Sequence, residues 1–153
     1  MKEKIKISID LMGGDNAPQA TIAGAVAARR NHGVETILVG DYKVVASELQ
    51  AHGEIPAQYQ IEHAGEVVQM DEQPASAVRQ KLDSSIRVAA NLVKDGEAGA
   101  LISMGNTGAT MAAAVLIVGR VPGVNRPALA GVLPSTDLRT LMLDIGANSE
   151  CNS

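Results

Sequence analysis

Three short segments combine glycine with small polar side chains, a pattern typical of loops whose backbone N–H groups bind anions. The first segment, residues 10–18, supplies the candidates Asp10, Gly13, Gly14, Asp15 and Asn16. It is neither a Walker loop nor a G-x-G-x-x-G fingerprint, so it does not indicate ATP or NAD. One alternative is a plain turn in which Asp15 or Asn16 caps a helix, and a less favoured one is a magnesium ion held by the two acids.

The second segment opens a run of small and apolar residues. It supplies the candidates Ser103, Gly105, Asn106, Thr107 and Gly108. Free amides at the start of a helix, made accessible by glycine, form an anion site, and the Asn and Thr side chains add neutral donors. The alternative is an ordinary turn with Thr107 as the N-cap.

The third segment follows an apolar run near the end of the sequence and supplies Asp144, Gly146 and Asn148. Two further places contribute cations. Lys81 precedes Ser84 and Ser85, which we expect to cap a helix, and Arg126 precedes a strand-like run. The alternative for Lys81 and Arg126 is a solvated surface position.

Composition excludes several classes of function. The 153 residues include 13 Lys+Arg and 17 Asp+Glu, a net charge of −4 that argues against binding a phosphate backbone. Two tyrosines are the only aromatic residues, so sites that stack bases are excluded. The single cysteine cannot form an internal disulfide, and no cysteine–histidine spacing indicates zinc, so we predict no metal and no cofactor.

Strand-like and helix-like segments alternate along the chain and must position these loops. Strands are predicted at residues 5–9, 36–39, 59–63, 100–103, 129–133 and 141–145, and helices at 20–30, 42–52, 84–93 and 109–118. The last two strands suit an antiparallel hairpin. The earlier alternation predicts a mainly parallel sheet that is covered by helices on both faces. We expect one α/β domain over residues 1–153, cut from a longer fold, with its three glycine segments converging beyond the strand ends.

Taken together, these segments resemble one family, the PlsX-type phosphate acyltransferases of bacterial phospholipid synthesis. The resemblance rests on residues 9–18, 75–85, 103–109, 126–128 and 143–148 in this order and at these intervals, and it covers essentially the whole chain. Family chains are considerably longer, so the likeness is to their N-terminal portion.

The resemblance implies transfer of a fatty acyl group from an acyl carrier protein thioester to inorganic phosphate. The product, an acyl phosphate, would be consumed by a membrane glycerol-phosphate acyltransferase. The family also implies a Rossmann-like, three-layer α/β/α fold with a mainly parallel sheet. It implies a homodimer with no organic cofactor and no nucleic-acid partner, working in the cytoplasm at the inner face of the membrane.

Within that chemistry the residues suggest roles. We assign phosphate to the turn of Asn106 and Thr107, helped by Lys81, and the acyl oxygen to amides near Gly13–Gly14 or Gly146. The acids Asp10, Asp15 and Asp144 would orient the loops or accept a proton. No nucleophile–base pair is evident, so direct attack by phosphate is favoured over an acyl-enzyme. The alternatives are a phosphotransacetylase-like enzyme that uses acyl-CoA and a non-catalytic phosphate- or nucleotide-binding fragment.

Overall fold

A computed structural model describes residues 5–124, 127–134 and 139–145 of the chain. The chain divides into two compact units, Met1–Gly119 and Arg120–Ser153. The prediction of a single domain over residues 1–153 stays a prediction.

The first unit alternates strands with helices. Its elements are β1 (Lys6–Asp10), α1 (Gln19–His32), β2 (Glu35–Gly40), α2 (Tyr42–Ala51), β3 (Gln60–His63), α3 (Pro74–Gln80), α4 (Ser85–Lys94), β4 (Ala100–Ser103) and α5 (Thr107–Ala113), which continues as one π-helical turn (Ala114–Val118). The four strands form one fully parallel sheet in the order β3-β2-β1-β4. The predicted parallel α/β architecture is confirmed.

Helices cover both faces of this sheet because its central strands are apolar on both sides. In β2, Leu38 packs with α1 and α2, whereas Ile37 and Val39 face the opposite way towards α4. All three side chains are fully buried. Strands with two apolar faces are typical of parallel sheets enclosed by helices.

Local signals explain most helix ends. Asp41 accepts a hydrogen bond from the Val44 amide and so caps α2, as predicted. At the end of α1, Gly33 adopts φ +63°, and its amide bonds to the Arg29 carbonyl oxygen. At the start of α1, Pro18 occupies the N-cap without a side-chain cap, so the alternative in which Asp15 or Asn16 caps the helix is wrong.

The second unit contains β5 (Ala130–Leu133) and β6 (Thr140–Leu143), which pair antiparallel. The predicted hairpin is therefore confirmed. Asp144 follows β6 with φ +61°.

Candidate functional site

The register of the parallel sheet brings two predicted site residues side by side. Strands β1 and β4 are neighbours, and Asp10 pairs with Ser103 at the last position of each strand. The Ser103 hydroxyl donates a hydrogen bond of 2.7 Å to Oδ2 of Asp10. Two residues 93 positions apart in sequence thus start the two glycine loops from one point at the carboxyl edge of the sheet.

The other carboxylate oxygen of Asp10 fixes the first glycine loop. Oδ1 accepts hydrogen bonds from the amides of Met12 (3.2 Å) and Gly13 (3.1 Å). Asp10 is only 3% exposed, so these bonds are shielded from water. A buried charge needs such partners, and they hold the loop in one conformation.

The first two glycine segments meet directly. A Cβ atom placed on Gly13 would lie 2.7 Å from Oδ2 of Asp10 and 3.0 Å from Cα of Gly105. The adjacent Gly14 has φ +117°, and a Cβ atom placed on it would lie 3.0 Å from the carbonyl oxygen of Met104. Only glycine fits both positions, and the predicted convergence of these two segments is supported by the contact.

Asn106 begins the helix that follows the second segment. Its Oδ1 accepts a hydrogen bond from the Ala109 amide at 3.0 Å, so Asn106 rather than Thr107 is the N-cap of α5. Thr107 is exposed. Gly108 lies against α3, where a Cβ atom would come within 2.6 Å of Pro74 Cγ.

A segment for which the sequence predicts neither a helix nor a strand lies over the turn at Asn106. We call residues 67–73 the strap. The side-chain amide of Asn106 donates to strap carbonyl oxygens of Gln69 (3.3 Å), Met70 (3.1 Å) and Glu72 (3.4 Å). Beneath the strap a space of about 10 Å³ separates Val68 from the Asn106 turn.

Lys81 contacts the same strap. Its ammonium group donates to the Val67 carbonyl oxygen at 2.7 Å and to Glu72 Oε2 at 2.6 Å. The Lys81 ammonium, together with the Gln69 amide, holds the pKa of the Glu72 carboxyl below its usual range. The side chain of Lys81 is about a quarter exposed, so this cation is engaged with the strap and is not a freely solvated surface group.

The two serines after Lys81 are buried, and they do not cap α4 with their side chains. Ser84 occupies the N-cap position, but its hydroxyl donates to the Lys81 carbonyl oxygen at 2.9 Å. The expected side-chain cap is therefore wrong. Ser84 instead closes the turn that follows Lys81, and Ser85 is the first residue of α4.

An apolar groove of about 560 Å³ runs from the first glycine loop along α1 and the end of β4. Asp15 and Asn16 lie at its polar end, beside Gly14. Most of its lining is aliphatic or small, including Ile9, Ala17, Ala25, Ala28, Ile102 and Met104. Met104 is 66% exposed, so the groove is open to solvent.

The third predicted segment lies partly in the second unit and partly outside the described residues. Asp144 belongs to the second unit, and Arg126, Gly146 and Asn148 lie outside the described residues. Their convergence on this site stays a prediction.

Within residues 5–124, 127–134 and 139–145, no three His, Cys, Asp or Glu side chains gather into a group that could hold a metal ion. Asp10, one of the two acids considered for magnesium, directs both oxygens to protein donors. In the same described ranges, no helix has the length and apolar character needed to cross a membrane.

Sequence reasoning missed α3 and Glu72. Pro74 at the first position of α3, with Ala77 and Val78 buried behind it, was the available signal for the helix. For Glu72 the sequence contains no such signal. Its partner Lys81 lies nine positions away, and the two side chains meet only in the folded structure.

Comparison with known proteins identifies the family of this chain. A family model described as "Fatty acid synthesis protein" matches residues 5–153. A protein named phosphate acyltransferase from Trichlorobacter lovleyi is 46% identical over 149 residues, covering 97% of this chain and 43% of its own length. A protein of the same name from Desulfitobacterium hafniense is 49% identical over 146 residues, covering 95% of this chain and 43% of its own length. The chain thus spans less than half the length of these relatives.

A solved structure, a phosphotransacetylase from Streptococcus pyogenes, matches with a TM-score of 0.71 over 97% of this chain and 49% of that one. At 20% identity this likeness shows a shared Rossmann-like fold. The family match covers nearly the whole sequence, and the relatives agree with it at much higher identity. The chain accordingly belongs to the fatty acid synthesis protein family, the family of the phosphate acyltransferases.

Proposed function

We propose that this chain carries the phosphate and acyl sites of an acyltransferase that moves a fatty acyl group from acyl carrier protein to inorganic phosphate. The observation that carries the proposal is the 46–49% identity to proteins named phosphate acyltransferase over 146–149 residues. The joined glycine loops at the carboxyl edge of the sheet support it, because ligands of open α/β sheets bind there.

In this proposal, phosphate binds beside Lys81 and Asn106. A phosphate oxygen attacks the thioester carbonyl carbon, a C–O bond forms, and the C–S bond breaks. The electron pair leaves with the sulfur, which takes up a proton to give the free thiol of the carrier. Lys81 offsets the charge of the attacking anion, and the Asn106 amide orients it.

The two glycine loops would supply donors for the oxygen that becomes negative during attack. Asp10 fixes the backbone of the first loop before any substrate arrives, since it already holds the Met12 and Gly13 amides. A donor that needs no rearrangement stabilises a transition state more than a flexible one. In this scheme Asp10 acts as a positioning residue.

The apolar groove beside Gly14 suits the fatty chain of the substrate. Its polar end adjoins the glycine loops, and its apolar lining continues along α1. Burial of methylene groups in such a groove contributes about 0.8 kcal/mol each. We therefore place the thioester carbonyl near Gly14 and the hydrocarbon tail along α1.

The remaining elements of the proposal concern the cellular setting and follow from the family resemblance. The protein would act as a homodimer in the cytoplasm beside the membrane. Its acyl phosphate would pass to a membrane glycerol-phosphate acyltransferase.

The test is an acyl phosphate assay with inorganic phosphate and either an acyl carrier protein or a CoA thioester. We expect product from the carrier-protein thioester, and about a 10²- to 10³-fold lower rate for Asn106→Ala. Asp41→Ala, which removes a matched helix cap at α2, should keep the rate. Preference for CoA would favour a phosphotransacetylase-like enzyme, and phosphate binding without product would favour a binding fragment.

The groove is tested in the same assay. Gly24 lines it, and a Cβ atom placed there meets nothing within 4 Å. Gly24→Leu should slow transfer of long acyl groups by filling the groove, whereas Gly24→Ala should leave transfer unchanged. Equal rates for all three proteins would contradict this placement of the acyl chain.

A further inference from the structure

The two side chains assigned to phosphate are both occupied by the strap. Lys81 directs its ammonium group to Glu72 and to the Val67 carbonyl oxygen, and the Asn106 amide faces three strap carbonyl oxygens. The space of about 10 Å³ beneath the strap is the size of a single water molecule. Phosphate is larger than this space, so it reaches the Asn106 amide from beneath the strap only if strap groups move.

Glu72 is the strap group that resembles phosphate most closely. Its Oε2 accepts from Lys81 at 2.6 Å and from the Gln69 amide at 2.7 Å. At Lys81 this oxygen has the position of a phosphate oxygen, because an anionic oxygen that accepts from an ammonium group is the arrangement that proteins offer to phosphate.

The strap is anchored at both ends and exposed in its middle. Just before it, Glu66 exchanges backbone hydrogen bonds with Asp83 and Ser85. At its other end, Gln73 and Pro74 start α3. Between these anchors, Val68 is buried, and residues 69–71 are exposed.

We propose that the Glu72 carboxylate is an internal substitute for phosphate, which occupies Lys81 while the site is empty and is displaced when phosphate binds. This inference rests on the proposed function, because it concerns the same phosphate site. Displacement makes the apparent affinity for phosphate depend on how firmly Glu72 holds Lys81. Glu72 thereby becomes a residue that sets the phosphate concentration at which the site fills.

Calorimetric titration of the chain with inorganic phosphate tests the inference. A partly exposed ion pair of this kind shifts a binding equilibrium by about two- to fivefold, so Glu72→Gln should bind phosphate that much more tightly than wild type. The control is Asp71→Asn, which removes one negative charge from the same strap. Asp71 makes no hydrogen bond or ion pair among the described residues, so we expect a smaller change.

Hydrogen exchange at the Gln69 amide gives a second readout. In wild type, phosphate should speed exchange of this amide, because its acceptor on Glu72 moves away. Equal phosphate affinity in wild type and Glu72→Gln, or a Gln69 amide still protected at saturating phosphate, would overturn the inference and leave the proposed function standing. Absence of saturable phosphate binding in all three proteins would overturn the phosphate site and the inference together.

Discussion

The two edges of the parallel sheet both carry polar residues, but they use them in different ways. At the carboxyl edge, Asp10 and Ser103 bond to each other and to loop amides. At the amino edge, a cavity of about 410 Å³ is lined by Lys6, Arg29 and Thr36 among others. By volume alone, the amino edge offers far more room than the space under the strap.

The two edges differ in the hydrogen bonds that their polar groups make. The cations of the amino edge are already committed, since Lys6 donates to Gln60 and Arg29 donates to the Gln58 carbonyl oxygen while it covers the Tyr59 ring at 4.2 Å. In the described part of the chain, the buried Thr36 hydroxyl has no hydrogen-bond partner. At the carboxyl edge, Asp10 and Ser103 instead fix the amides of Gly13 and Gly105, and the half-buried Gly14 lies next to this fixed backbone. A preorganised backbone beside a carboxylate therefore distinguishes the candidate site from the amino edge.

Removal of the Asp10 carboxylate tests this comparison with the largest expected effect. Asp10→Ala leaves the Met12 and Gly13 amides and the Ser103 hydroxyl without their acceptor, and we expect the free energy of unfolding to fall by about 3 kcal/mol. Asp10→Asn keeps one oxygen for the amides and should cost about 1 kcal/mol. Urea unfolding measures both. Equal losses in the two variants would mean that the carboxylate is not what holds the loops.

Alanine substitutions at Gly13 and Gly33 compare the backbone of the two edges. Gly13→Ala forces a methyl group against Asp10 and Gly105 and should cost about 2 kcal/mol, with weaker phosphate binding. Gly33→Ala at the end of α1 meets open space and strains only its φ of +63°, so we expect about 1 kcal/mol. Its phosphate binding should match wild type. Loss of phosphate binding in Gly33→Ala would show that the site is not confined to the carboxyl edge.

The sequence was sufficient to predict the strands and the meeting of two loops. Alternating apolar residues specified β1, and a short apolar run specified β4. The rule that parallel strands end at one edge placed Gly13 near Gly105. Such inferences succeed because they depend on periodicity and on the handedness of strand–helix–strand connections, which are properties of the local chain.

The parts that the sequence did not predict depend on side-chain partners across the fold. Ser84 has the residue type of a cap, yet its hydroxyl bonds to the Lys81 carbonyl oxygen. Asn106 was assigned to phosphate, and it both caps α5 and holds the strap. The choice among possible hydrogen-bond partners is settled by tertiary geometry, which residue type and spacing do not specify.

Substitution of Thr36 has the smallest expected effect, and its result contrasts most clearly with that of substituting Asp10. Its buried hydroxyl lacks a hydrogen-bond partner in the described ranges, so the folded protein bears the cost of removing that group from water. Thr36→Val keeps the side-chain shape and removes this cost, and we expect stability to rise by up to about 1 kcal/mol in urea unfolding. Phosphate binding should not change. A loss of stability in Thr36→Val would show that the hydroxyl has a partner at the amino edge, and the two edges would then differ less than their hydrogen bonds indicate.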